Sequence, residues 1–328
     1  MVTAFGFVLL TLLVVTAIAI VVTPNLFVAV MLMSIFSLLM AATFFLLDAA
    51  DVALTEAAIG AGMSTILFLG ALALIAEREA EGPGRRRWLP LAVIALTAFT
   101  VIYATFDKPR LGDPAAPVHQ HVAPWYLEQT PVLMEMSNVV TAVLAGFRAY
   151  DTLGEVLVIL TAGFGVMLIL GNGRPALSRQ RRAAAATGLR HHLIPRIVGQ
   201  LLIPFIVLFG LYLQFHGEFG PGGGFQAGAI IAVGIVLHAL LEGEAAGRAI
   251  LPTPVLVGLM TGGALLFCAV GFAGMLLGGN FLDYAVFGTD PVAGQQLGIH
   301  LVEAGVGITV TGTLVAAFHA FADREPAA

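Results

Sequence analysis

Residues 3–23, TAFGFVLLTLLVVTAIAIVVT, run without one charged side chain. As a helix rising about 1.5 Å per residue, the run is long enough to cross the roughly 30 Å hydrocarbon layer of a bilayer. No Lys or Arg precedes it, and it exceeds the apolar core of about 7–15 residues found in a signal peptide. It is therefore expected to be a retained first membrane helix. Working outward, comparable apolar runs fall at about 25–47, 52–76, 88–106, 152–170, 193–215, 225–241, 255–276 and 297–320. None alternates strictly, as barrel strands do. The expected fold is an all-α integral membrane protein of about nine transmembrane helices.

Composition agrees. Of 328 residues, 59% are hydrophobic and only 11% charged, with a mean hydropathy of +0.97. Soluble domains carry about 25% charge, so this chain cannot cover a surface facing water. Lipid is its expected surrounding. No basic stripe suits a nucleic-acid partner. Cys268 is the only cysteine, which excludes an intrachain disulfide, a Cys-based zinc site and an iron–sulfur cluster held by this chain. No metal and no resident cofactor are expected.

Lys and Arg set the expected orientation. Arg78 and Arg85 to Arg87 fall in one loop, and Arg174, Arg179, Arg181, Arg182 and Arg190 in another. With nine spans both loops lie on the same side, with Arg248 and Arg324. That side is expected to be cytoplasmic, with the N-terminus outside and the C-terminus inside. Residues 107–151 are the longest polar stretch. Its first half reads as an external loop, and Pro131 to Leu144 as a short interfacial helix.

Ionisable residues inside spans are expensive, about 2.5–3.5 kcal/mol at a helix centre, and are functional candidates for that reason. Glu56 lies in Asp51-Val-Ala-Leu-Thr-Glu-Ala-Ala-Ile-Gly60. Small residues at Ala53, Ala57, Gly60 and Ser64 turn that helix toward protein. Glu56 reads either as a carboxylate exchanging a proton or Na⁺, or as a structural carboxylate bonded to a neighbouring helix. In Arg148-Ala-Tyr-Asp-Thr-Leu-Gly-Glu155, a continuous helix places Arg148, Asp151 and Glu155 on one face. The competing reading is a capping box, Thr152 with Glu155, that starts a helix, with Arg148 neutralising Asp151. Glu303 follows His300 by one turn in the last span. It reads as a proton relay or as a residue satisfied by a partner near the outer interface.

Between two spans lies His216-Gly-Glu-Phe-Gly-Pro-Gly-Gly-Gly-Phe-Gln-Ala-Gly228. Its glycines permit a tight turn. No strand precedes it, so it is not a dinucleotide fingerprint. A re-entry turn packed on a neighbour, or direct ion coordination, are its two readings. No nucleotide loop and no nucleophile–base pair is present, so no catalytic residue is expected. Energy must then come from an ion gradient or another subunit.

These segments resemble the Mrp-type multisubunit Na⁺/H⁺ antiporters. Residues from about 190 to 322, with His191-His-Leu-Ile-Pro-Arg-Ile-Val-Gly-Gln200 and Gly220-Pro-Gly-Gly-Gly-Phe-Gln-Ala-Gly228, look like the family's B subunit. Residues from about 25 to 171, with the Asp51–Gly60 motif and Asn138-Val-Val-Thr-Ala-Val-Leu144 followed by Arg148–Glu155, look like the C-terminal part of its A subunit. The expected division is an A-tail-like portion over 1–172, a basic cytoplasmic linker over 173–190 and a B-like domain over 191–328. The resemblance implies a multi-pass subunit in the bacterial plasma membrane that moves Na⁺ and H⁺ and is not an enzyme. It implies partner membrane subunits, among them a large antiporter-like A subunit and several small ones. Glu56, Arg148 and Glu155 occupy motif positions of functional importance, beside Asp151 and Glu303 in an ion path. Pro221, Gly223 and Phe225 match the family's turn and form a structural or subunit contact. The long antiporter-like module that normally begins the A subunit is absent here. The alternatives are a membrane subunit of a membrane-bound hydrogenase or related redox complex, and a structural scaffold that conducts nothing.

Overall fold

The computed structural model describes residues 2–72, 88–110, 112–171 and 193–322. Nine helices among them are long and apolar enough to cross a membrane. They are α1 (Thr3–Val22), α2 (Leu26–Leu46), α3 (Ala50–Leu72), α4 (Trp88–Thr105), α5 (Ala149–Leu170), α6 (Leu193–His216), α7 (Gly224–Glu242), α8 (Thr253–Leu276) and α9 (Pro291–Ala322). Every span expected from the hydropathy pattern forms. The Arg-rich loops that set the expected orientation, the 173–190 linker and Arg324 lie outside the described residues.

α9 is the axis of the bundle. Its apolar window is 72% buried, whereas α4 is exposed along its whole length. α5, α7 and α8 pack around α9, and their shared core contains Phe267, Tyr284, Ile299, Val302 and Val310. The close approach of α7 to α9 depends on missing side chains. A Cβ at Gly224 would overlap the Glu303 carbonyl oxygen, and one at Gly228 would meet the Gly307 carbonyl oxygen. Small residues of this kind let membrane helices pack backbone to backbone. Thr311 Oγ1 adds a hydrogen bond to the Gly228 carbonyl at 3.0 Å.

Three local details depart from the expected elements. The short helix spans Val122–Leu133, with Pro131 in its last turn, and not Pro131 to Leu144. The chain then bends and starts again under Asn138, whose side chain caps Val140 and Thr141. Second, α5 does not begin with a capping box. Arg148 breaks the helix at φ −123° and ψ 34°, the next helical residue is Ala149, and Thr152 Oγ1 donates back to the Leu144 carbonyl at 2.7 Å. Thr152 therefore repairs the break instead of capping. Third, Glu56–Met63 within α3 is π-helical, a form concentrated at functional sites.

Candidate functional site

The glycine-rich turn between α6 and α7 is the frame of the site. Gly223 N donates to the Leu213 carbonyl at 3.0 Å. Gly223 itself sits at φ +120° and ψ −179°, a conformation open essentially to glycine alone. The turn is held from outside by residues far away in sequence. Ser137 N and Asn138 N donate to the Glu218 carbonyl at 3.1 and 2.9 Å. Asn138 Nδ2 donates to the Gly220 carbonyl at 2.8 Å. Gly222 N donates to Asp51 Oδ1 at 3.1 Å.

Under the turn is a cavity of about 230 Å³. Three carboxylates from three spans line it: Asp51 of α3, Glu155 of α5 and Glu303 of α9. Thr55, Thr141 and Thr152 add hydroxyls. With liquid water occupying about 30 Å³ per molecule, the space suits a hydrated cation or a short water cluster.

Glu303 is the most confined of the three, at 9% exposure. Its carboxylate faces the turn. A Cβ at Gly223 would lie 2.8 Å from Oε1, and one at Gly217 would lie 3.3 Å from Oε2. Among the described residues no side chain donates to it and no Lys or Arg pairs with it. An ionised carboxylate buried without a partner is strongly unfavourable. The Glu303 carboxylate is therefore placed to take a proton, a cation or ordered water from the cavity.

The expected residues separate into groups. Glu155 and Glu303 meet at the cavity. Glu56 is not among the cavity's lining residues. Its carboxylate and the Ser37 hydroxyl of α2 both flank Gly60, where a Cβ would meet Glu56 Oε1 at 2.5 Å and Ser37 Oγ at 2.6 Å. Asp151 is paired with Arg148 at 2.6 Å, both side chains exposed, and neither is among the cavity's lining residues. Pro221 is exposed at the tip of the turn and Gly223 is buried. Phe225 lines the cavity and packs on this chain's own core. Asp51, just before the expected 52–76 span, is not among the expected ion-path residues. The signal was its spacing: Asp51 and Thr55, four residues apart, share a helix face, while Glu56 is turned about 100° further round.

These features define a polytopic helical membrane protein with a carboxylate-lined cavity between its spans. Residues 194–316 match the model of a domain related to the MnhB subunit of Na⁺/H⁺ antiporter. Residues 11–77 and 92–185 match models of the D and E subunits of MBH. The Na(+)/H(+) antiporter B subunit of Alkalihalophilus pseudofirmus is 30% identical over 124 residues, which are 34% of this chain and 85% of that one. The chain therefore belongs to the family of Mrp-type B subunits, here fused to a segment like the C-terminal part of the A subunit. A probable K(+)/H(+) antiporter A/B subunit of Rhizobium meliloti is 27% identical over 319 residues, covering 86% of this chain and 30% of that protein. A chain of the Mrp complex from Dietzia sp. DQ12-45-1b superposes with a TM-score of 0.75 at 27% identity, over 96% of this chain and 34% of that one. The chain thus spans about a third of the length of the two matches that cover most of it.

Proposed function

We propose that this chain is a subunit of a multisubunit monovalent cation/proton antiporter, Na⁺/H⁺ by preference, in the bacterial plasma membrane. It works beside a large antiporter-like A subunit and small membrane subunits. It is a part of a secondary transporter and not an enzyme. Residues 1–172 act as the A-tail-like portion and 191–328 as the B-like domain, with the N-terminus outside and the C-terminus cytoplasmic. In this reading the cavity lies toward the outer face.

The observation that carries the proposal is the buried Glu303 carboxylate, without a donor among the described residues, facing a cavity it shares with Asp51 and Glu155. Two states satisfy it. With a cation in the cavity, Glu303 is ionised and the cation offsets the carboxylate charges. With a proton on Glu303, that attraction weakens and the cation leaves. Opposite charge favours the ionised form and like charge disfavours it, so the two ligands compete for one site. That is the requirement for exchange without simultaneous leak. Asp151, paired with Arg148, draws cations along the α5 face toward Glu155. Glu56 serves the same path from the α2–α3 side.

Purification of the assembled complex through a tag on this chain tests the reading. Co-purifying membrane subunits, including a long antiporter-like chain, support it. A second reading is favoured by the matches to the MBH D and E subunits: the membrane portion of a redox-driven complex. An iron–sulfur or nickel subunit in the eluate would establish that reading instead.

A further inference from the structure

We infer that Glu218 and His300 form a proton entrance to Glu303 separate from the cavity through which the cation arrives. The inference rests on the exchange role proposed for Glu303.

Glu218 follows Gly217 in the turn. Its carbonyl is pinned by Ser137 N and Asn138 N, and its carboxylate is directed at α9. There Oε1 lies 3.1 Å from His300 Nδ1. His300 Nδ1 is also 2.9 Å from the Gln296 carbonyl. A carbonyl only accepts, so the Nδ1 hydrogen points at Gln296. Glu218 Oε1 is left buried and without a hydrogen bond. A slight ring rotation brings that same hydrogen onto Glu218. Glu303 is three residues after His300 on α9, and its Oε2 sits against Gly217, the neighbour of Glu218.

The three groups are graded by access. The side chain of His300 is 36% exposed and that of Glu218 15%, and Glu303 as a residue is 9% exposed. Neither His300 nor Glu218 lines the cavity. A proton can pass between adjacent ionisable groups without an open channel, whereas a cation needs space. The balance is simple. A hydronium ion gives a proton to His300 Nε2, leaving water, Nδ1 gives one to Glu218, and tautomer exchange through water then restores Nδ1–H. Glu218 then passes its proton to Glu303, and the cation held there leaves the cavity. Reversal runs the same steps backward.

The other titratable groups around Glu218 do not offer this route. His216 is stacked on Tyr212, with ring centroids 4.7 Å apart. Asp51 is bonded to Gly222 N and Glu155 lies on the cavity. Glu135, in the loop that pins the turn, is exposed.

The test uses the complete complex in proteoliposomes, measuring initial exchange rate against pH and against Na⁺ concentration. Glu218→Gln and His300→Gly are each expected to slow exchange at least about tenfold, since a positioned proton-transfer group contributes about a hundredfold or more. The apparent KM for Na⁺ stays unchanged. Imidazole on the side of the turn restores the rate of His300→Gly, which a purely structural defect would not allow. Wild-type rates in both variants overturn the entrance, as does a loss that imidazole leaves untouched or a raised KM for Na⁺. Glu303→Gln separates the two levels. If it abolishes exchange while Glu218→Gln is normal, only the entrance fails. If Glu303→Gln exchanges normally, the role of Glu303 fails with it.

Discussion

Asp51 Oδ1 accepts a hydrogen bond from Gly222 N at 3.1 Å, across 171 residues of sequence. One carboxylate thereby lines the cavity and fixes the turn that shapes it. Hydrogen bonds to a charged group contribute about 1.5–3 kcal/mol. Asp51→Ala is expected to lower the thermal stability of the purified complex by about that amount. Asp51→Asn, which keeps an accepting oxygen, is expected to retain most of the stability and raise the apparent KM for Na⁺. An unchanged KM in Asp51→Asn removes Asp51 from cation binding and leaves it a purely structural anchor.

Gly223 gives a sharper geometric test. An alanine there takes on a φ that side chains avoid, at about 1–3 kcal/mol, and its Cβ would lie 2.8 Å from Glu303 Oε1. Gly223→Ala should displace the Glu303 carboxylate and depress exchange. Gly154→Ala is the control, because a Cβ there meets nothing within 4 Å. Equal transport rates in the two variants would show that the carboxylate's position beneath the turn is immaterial.

At the far end of α7, Glu242 is bound by Arg196 through contacts of 2.7 and 3.1 Å and by Gln200 Nε2. Removing one partner of a buried ion pair is destabilising by about 3–5 kcal/mol, while replacing both with apolar groups is often neutral. Arg196 is 39% exposed on its side chain, so the effect of Arg196→Met falls at or below the low end of that range. Thermal unfolding should show Arg196→Met less stable than the double variant Arg196→Met with Glu242→Leu. The opposite order would mean that the ion pair stabilises the α6–α7 contact more than the apolar packing that replaces it.

The Arg148–Asp151 pair contrasts with it. Its side chains are 60% and 52% exposed, and pairs of this kind contribute about 0–1 kcal/mol. Asp151→Asn should leave unfolding temperature nearly unchanged. A fall in exchange rate in that variant then reports on ion flow and not on folding. Undiminished exchange would take Asp151 and Arg148 out of the path.

The spans were legible because a helix that meets lipid must be apolar along its whole length, and hydropathy reads that directly. Glu303 was legible for the same reason, as an ionisable group within such a run. Asp51 and Glu218 were not, because residues beside a turn look like ordinary boundary polarity. Their importance comes from contacts to Gly222 and His300 across long stretches of chain. The break at Arg148 was hidden by a local pattern, Thr152 and Glu155, that fits a cap equally well. The π-helical stretch from Glu56 leaves no mark in residue spacing at all.

The most direct test is Na⁺-driven proton exchange by the reconstituted complex carrying Glu303→Gln, with assembly checked by native gel. Glutamine keeps the shape of the side chain and removes its titration. The account predicts an assembled complex in which exchange is lost across the whole pH range. An assembled complex with wild-type exchange would contradict it.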